Sequence, residues 1–324
     1  MSRVLFPNIA VYHQEWLDVG DGHQLYIEQS GNPNGIAVVY LHGGPGGGSS
    51  KNHRRYFDPE KYRIILFDQR GCGRSKPSPS LNDNTPHHLV ADLEVIRKHL
   101  SISRWLVSGG SWGTTLALLY GIKYPQAILG FILRGIFLGT KAEYNWLYNA
   151  SGAASFFPEY YREFTEQVAN INNVSVLQGY YDVLTGPNEI AAIAASKAWC
   201  LWELRLSTLA PHSPAEIQDD DYPHRALCMA KISSHYFVNH CFIDEGEILA
   251  SIDNIKDIPA IILHGRYDMV CPLHSADKLV QHWPSAQLQI LPQAGHSGFE
   301  LQTIDGFCKA ADTMANFIAE QSVE

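Results

Sequence analysis

The sequence predicts an α/β protein: a mostly parallel central sheet, helices on both faces, and a helical cap inserted late in the chain. Three observations predict it. Continuous apolar runs at 37–41, 63–68 and 260–265 have the texture of strands covered on both faces. Segments of helical spacing separate the runs, as expected of parallel strands joined by crossover helices. From about Ile136 to Ser251 the β-runs give way to aromatic-rich helical segments, and then strands resume. The expected division is a core of residues 1–136 and 252–324 with a helical cap of residues 137–251.

Each element follows from local chemistry. Asp21-Gly22 is a hairpin-turn pair, and the alternation at 24–29 marks a half-exposed strand. The strand at 37–41 runs into His-Gly-Gly-Pro-Gly-Gly-Gly at 42–48, a loop with almost no side chains. The strand at 63–68 ends in Gln-Arg-Gly-Cys-Gly-Arg-Ser at 69–75. Asn84 or Thr85 can cap a helix that takes Pro86 in its first turn and puts Leu89, Leu93, Ile96 and Leu100 on one face. An apolar run at 105–108, a glycine-flanked serine and an apolar helix to about Tyr124 follow, then a strand at 130–135. After the cap come strands at 260–265 and 288–291 and a closing helix that buries Phe307, Ala311, Met314 and Ile318.

Composition narrows the function. At 324 residues the chain is long for one plain domain, which favours a domain with an insertion. A formal net charge of −9 and a pI near 5.9 argue against a nucleic-acid partner or an anionic membrane surface. No apolar run is long enough for a membrane-spanning helix, and the first residues lack the apolar centre of a signal peptide. Six scattered cysteines with no CxxC pair read as free thiols of a reducing, cytoplasmic compartment. HExxH is absent despite fifteen histidines, so no metal is expected. The sequence carries no signature of oligomeric state.

Chemistry centres on Gly-Gly-Ser-Trp-Gly at 109–113, a serine at a strand-to-helix junction and thus a nucleophile-elbow pattern. So sharp a turn needs small residues two before and two after Ser111. Two late loops, 264–268 and 292–297, contribute Asp268 and His296. All three residues stand just beyond expected strands, where functional groups converge in such sheets. Their order, Ser then Asp then His, is that of the α/β-hydrolase fold. A serine hydroxyl needs a base to take its proton, and a histidine can do so near neutral pH. Asp268 would fix the imidazole tautomer and stabilise the imidazolium. Two other readings stay open: Asp268 as a cap for the turn at 269–272, and His296 as an ordinary loop histidine. The glycine loop lets backbone approach closely, so the N–H groups of Gly44 and Trp112 are the expected oxyanion hole.

The motifs at 42–48, 67–75 and 109–113, with Leu-Arg-Gly-Ile-Phe-Leu at 133–138 and His-Gly-Arg-Tyr-Asp-Met-Val-Cys-Pro at 264–272, together resemble the bacterial proline iminopeptidases. Gly-His-Ser at 295–297 and His-Tyr-Phe-Val-Asn at 235–239 fit as well, so the likeness covers nearly the whole chain. The resemblance implies a serine exopeptidase that removes N-terminal proline from peptides with no metal or cofactor. It implies a proline pocket of Phe137, Tyr148 and Phe237, with Cys271 beside it and Arg134 from the Leu-Arg-Gly motif. It also makes Glu203, after Trp-Cys-Leu-Trp, the anchor for the substrate's α-amine.

Two departures bear on specificity. The family's second acid falls on Ser233, and Leu204-Arg205 replaces a small Gly-Ala pair, which brings a positive charge near Glu203. Three outcomes are open: Glu203 alone suffices, an acid from Asp219-Asp220-Asp221 substitutes, or the chain is a serine esterase or amidase that needs no free amine.

Overall fold

The chain opens with a hairpin of β1 (Val11–Gly20) and β2 (His23–Gly31). Its turn residues, Asp21 and Gly22, have φ of 54° and 74°, the left-handed pair that a tight two-residue turn requires. The computed structural model describes residues 2–169, 174–210 and 222–321. Next come β3 (Ile36–Leu41), β4 (Tyr62–Phe67), β5 (Trp105–Ser111), β6 (Ile128–Ile136), β7 (Ala260–Gly265) and β8 (Ala286–Leu291). They form one sheet in the order β1-β2-β4-β3-β5-β6-β7-β8. The first two pairings are antiparallel and the remaining five are parallel.

The α/β architecture with a mostly parallel sheet is therefore as the sequence predicts. Strand β1 has no counterpart among the sequence expectations, because its polar residues give no apolar run. The half-exposed reading of 24–29 needs correction: from Leu25 to Ser30 every residue is buried. Glu28 stays inside because Arg54 (2.6 Å) and Arg74 (3.0 Å) pair with its two carboxylate oxygens.

Alternate residues of the strands feed two cores. Val39, Leu41, Ile65, Phe67, Val107 and Leu133 pack with α1 (Pro86–His99) and α2 (Trp112–Lys123). Val38, Tyr40, Ile64, Leu66, Ile132 and Leu263 face the other way, toward Phe307, Ala311, Met314 and Ile318 of the closing helix, Leu301–Gln321. Period-two strands sandwiched between helices explain why those runs read as continuously apolar. Thr85 is the N-cap of α1, but its hydroxyl meets His88 Nδ1 at 2.9 Å instead of a helix N–H. Asn84 is drawn away to the carbonyls of Arg70 and Ser80.

Among the described residues no strand lies between β6 and β7. That stretch holds α3 (Lys141–Tyr148), α4 (Pro158–Glu166), α5 (Val176–Thr185), α6 (Glu189–Ser207), α7 (Tyr222–Val238) and the short α8 (Glu247–Ala250). Aromatic rings cement the helices: Phe164 stacks on Tyr180 at 4.4 Å, and Tyr148 lies 4.5 Å from Trp199. After the strands resume, α9 (Leu273–His282) precedes β8, and the closing helix is α10. No described helix is long and apolar enough to cross a membrane.

Candidate active site

Strand β5 ends at Ser111 and α2 begins at the next residue, leaving Ser111 at φ 58°, ψ −128°. A non-glycine residue rarely adopts that conformation, and here it stands between a buried strand and a buried helix that fix it. The requirement for small flanking residues is met in full. A Cβ at Gly113 would lie 2.1 Å from the Leu41 carbonyl oxygen, and one at Gly109 would lie 2.9 Å from that of Gly113. The glycine loop passes directly over the serine, since a Cβ at Gly43 would be 3.2 Å from Ser111 Cβ. The N–H of Trp112 is in the first turn of α2, where no intrahelical acceptor exists.

Asp268 and His296 meet as the sequence predicts, with His296 Nδ1 and Asp268 Oδ2 2.7 Å apart. The other carboxylate oxygen, Oδ1, accepts the N–H groups of Val270 (3.0 Å) and Cys271 (2.7 Å). Turn capping and histidine binding were rival readings of Asp268; the residue does both, one with each oxygen. Burial pushes its carboxyl up, but His296, His264 and the Cys271 N–H outweigh burial and hold it below the ordinary range. The hydroxyl of Ser111 has Cys271 Sγ at 4.0 Å as its polar neighbour and makes no hydrogen bond to His296 in this conformation. Burial raises the Cys271 thiol well above its usual value, so it stays protonated and does not compete as a nucleophile.

Several residues that support this arrangement carry no role in the sequence reading. His264 Nδ1 accepts the Ile136 N–H at 3.2 Å, so its proton sits on Nε2, which donates to the Cys271 carbonyl at 2.8 Å. That neutral ring, whose charging burial opposes, braces the loop that presents Asp268. The backbone N–H groups of His296 and Ser297 both donate to the Ser207 carbonyl, and Glu300 accepts from Gly295 at 2.6 Å. The position of His264, four residues before Asp268 in the same motif, was the one available signal for it.

Ser111, His296, Gly44, Arg134, Phe137, Tyr148, Glu203, Phe237 and Cys271 line one cavity of about 350 Å³ between the sheet and the helical segment. Asp268 stands behind His296, and the Trp112 side chain points away from the cavity to Gln69. Arg134 lines the cavity, where its Nη1–H donates to the His296 carbonyl at 2.7 Å while its buried Nε–H has no hydrogen-bond partner among the described residues. That bond gives Arg134 a hold on the His296 loop in addition to its place in the cavity lining.

Glu203 is 8% exposed and accepts the Tyr148 hydroxyl at 2.6 Å. Burial raises its carboxyl to about 7 despite that bond. Phe137 and Phe237 pack edge to face at 5.9 Å, and Tyr148 lies 5.4 Å from Phe237, forming an apolar wall next to the carboxyl. Arg205 does not bring its charge into the cavity. It pairs with Glu163 at 2.6 Å and lies 4.2 Å over the Tyr160 ring. Ser233 is fully buried and donates to the Pro45 carbonyl at 2.8 Å, a strut from α7 to the glycine loop. Asp219, Asp220 and Asp221 lie outside the described residues. Among the described residues no cluster of His, Cys, Asp or Glu is arranged to hold a metal ion.

Residues 36–303 match the alpha/beta hydrolase fold family. A proline iminopeptidase of Xanthomonas citri is 46% identical over 314 residues, covering 97% of this chain and 100% of that protein. One of Arabidopsis thaliana is 44% identical over 303 residues, covering 92% and 79% respectively. A solved proline iminopeptidase of Mycobacterium smegmatis shares the fold, with a TM-score of 0.62 at 17% identity over 96% of this chain and 99% of that one. With identity at this level along almost its whole length, the chain belongs to the proline iminopeptidase family of alpha/beta hydrolases.

Proposed function

We propose that the protein is a serine exopeptidase that releases proline from the N-terminus of peptides, with residues 137–251 acting as the cap over its site. The observation that carries this reading is the placement of Glu203. It is a buried carboxyl with an aromatic wall on one side, sharing a cavity with Ser111 and His296. An apolar five-membered ring fits against Phe137, Tyr148 and Phe237. Its secondary ammonium finds in Glu203 the carboxylate that a charge held away from water requires.

With the amine so anchored, the prolyl carbonyl is presented to Ser111. His296 Nε2 takes the Ser111 proton as Oγ adds to the carbonyl carbon, and Asp268 steadies the resulting imidazolium through Nδ1–H. The oxyanion of the tetrahedral intermediate lies against the N–H groups of Trp112 and Gly44. Each such donor typically supplies about 3 kcal/mol of transition-state stabilisation. On collapse His296 returns the proton to the leaving amine nitrogen, giving the shortened peptide and a prolyl ester on Ser111. Water then adds to the ester, loses its proton to His296, and frees proline with Ser111 restored. The six cysteines, all unpaired, support a reducing compartment such as the cytoplasm.

A chromogenic proline amide and its N-blocked form, compared on one preparation, test the reading. Cleavage of the free amine alone is expected. Equal turnover of both would assign a serine esterase or amidase indifferent to the amine, the alternative that the missing acid at position 233 raises.

A further inference from the structure

The motif at 67–75 enters the sequence argument only through resemblance, yet its first polar residues hold the reaction centre together. The glycine loop begins at His42 and gives way to Ser49. Both ends are tied to the consecutive residues 68 and 69. At the far end, Asp68 Oδ1 accepts the N–H (2.7 Å) and hydroxyl (2.5 Å) of Ser49, while Oδ2 accepts Arg74 Nε–H at 2.8 Å. At the near end, the Gln69 N–H points at His42 Nε2 at 3.0 Å, so that nitrogen accepts and the ring proton sits on Nδ1, 3.0 Å from the Gly43 carbonyl. The Gln69 side chain then divides. Its Nε2–H donates to the His42 carbonyl at 2.9 Å, and its Oε1 accepts the Trp112 indole N–H at 3.1 Å.

Topology makes this reach significant. Strands β4, β3 and β5 are neighbours in that order. Gln69 follows β4, the glycine loop follows β3, and Trp112 follows β5. One buried amide thus spans three strand ends and touches both pieces that carry the oxyanion donors. Gln69 is 2% exposed and does not line the cavity. We infer that Gln69 is a positioning residue for the reaction, fixing the distance and angle between the N–H groups of Gly44 and Trp112. The inference rests on the serine-hydrolase reading above. Two donors on separate chain segments help a tetrahedral oxyanion only if they converge on one point, and a buried amide that bonds both segments keeps them from drifting apart.

The test uses the full chain and the variants Gln69→Leu, Trp112→Phe and the double variant. Two competitive probes separate the effects. A prolyl boronic acid forms an anionic adduct on Ser111 with an oxygen in the hole, whereas pyrrolidine offers ring and ammonium but no carbonyl. Gln69→Leu is expected to lower kcat by about 10–100-fold, with KM within about twofold, since small misplacements near reacting atoms cost that much. The boronate Ki should rise by the same factor and the pyrrolidine Ki should not change. Trp112→Phe removes the same bond from its other end. It should show the same boronate-specific loss, and the double variant should lose little more than the worse single one. A Gln69→Leu enzyme with undiminished kcat, or equal weakening of both probes, overturns the inference. Should Gln69→Leu fail to fold, Trp112→Phe carries the test, and an unaltered boronate Ki there overturns it. Ser111→Ala keeps the two claims apart. Undiminished turnover by that variant defeats the serine-hydrolase reading itself, whereas a Ser111→Ala enzyme reduced to trace activity beside an unimpaired Gln69→Leu defeats only this one.

Discussion

The backbone N–H of His296 donates to the carbonyl of Ser207 at 2.9 Å, and the same oxygen accepts Ser297 N–H at 2.7 Å. Ser207 is the last residue of α6, the helix that carries Glu203 one turn earlier, and its hydroxyl donates back to the Glu203 carbonyl. Glu203 and His296, the proposed amine anchor and base, therefore hang from one helix end.

Glu300 completes the clamp, and its loss is the first prediction. Its carboxylate accepts Gly295 N–H at 2.6 Å and Leu209 N–H at 3.0 Å, joining the His296 loop to the chain just after α6. Charge-assisted bonds of this kind at a half-buried site contribute about 1–2 kcal/mol together. Glu300→Ala should lose that much stability in chemical denaturation. It should also lower kcat by about tenfold, because His296 loses its lateral support. An unchanged kcat would show that Ser207 and Arg134 hold the loop unaided.

Glu203 predicts opposite signs for binding and for stability. Its carboxyl titrates at about 7 in the folded protein, against 4.5 for the unperturbed group. In the proposed role its ionised form binds the ammonium, so the pyrrolidine Ki should fall as pH rises toward 7 and level off above it. Glu203→Gln should abolish that slope and weaken binding by about thirtyfold or more, the cost of an ammonium left without its partner. For stability, a raised carboxyl pKa means that the folded state binds the proton more tightly than the unfolded state. Stability from this group is thus lost as pH climbs from about 4.5 to 7 and stays lost above. The difference is on the order of 3 kcal/mol. Glu203→Gln keeps an acceptor for the Tyr148 hydroxyl, so at pH 8 it should melt higher than the parent while being nearly inactive. Lower melting at pH 8 would contradict the assigned burial cost.

Much of this was legible in the sequence because the signals are local. Glycines around Ser111, apolar runs ending in Asp268 and His296 loops, and a Trp-x-x-Trp-Glu helix segment each occupy a few consecutive residues. What escaped are partners set by tertiary approach. Gln69 and Trp112 are 43 residues apart, and Leu209 and Glu300 are 91 apart. The direction of Arg205 was equally hidden, because it depends on where Tyr160 and Glu163 of α4 pack. Spacing along one strand or helix fixes a face; it does not say which distant group the face will meet.

Gly135 is a case where a missed signal becomes a prediction. It lies at φ 57° near the end of β6, and a Cβ there would sit 3.0 Å from His296 Cε1 and 3.4 Å from Asp268 Oδ2. Gly135→Ala strains the backbone by roughly 1–2 kcal/mol and pushes on the imidazole. Steady-state kinetics should show kcat reduced by about 10–100-fold with the pyrrolidine Ki little changed, since Glu203 and the aromatic wall are untouched. Weakened pyrrolidine binding would place the disturbance in the helical segment that carries Glu203 instead.

Ser233, the position where the resemblance places an acid, gives a further test of the amine site. Its hydroxyl donates to the Pro45 carbonyl at 2.8 Å and it is fully buried, so it braces the glycine loop and does not line the cavity. Ser233→Ala leaves that carbonyl short of a donor, at a cost of about 1–2 kcal/mol. It should lower kcat a few-fold through a looser loop while the pyrrolidine Ki holds. Introducing an acid by Ser233→Glu sets a carboxylate against a carbonyl oxygen at a fully buried position. Such a group repels its neighbour and must take up a proton or expel the helix. Ser233→Glu should therefore melt several degrees lower and gain no affinity for pyrrolidine. Tighter binding by that variant would show that the second acid can act from this position, and that Glu203 alone leaves the amine site incomplete.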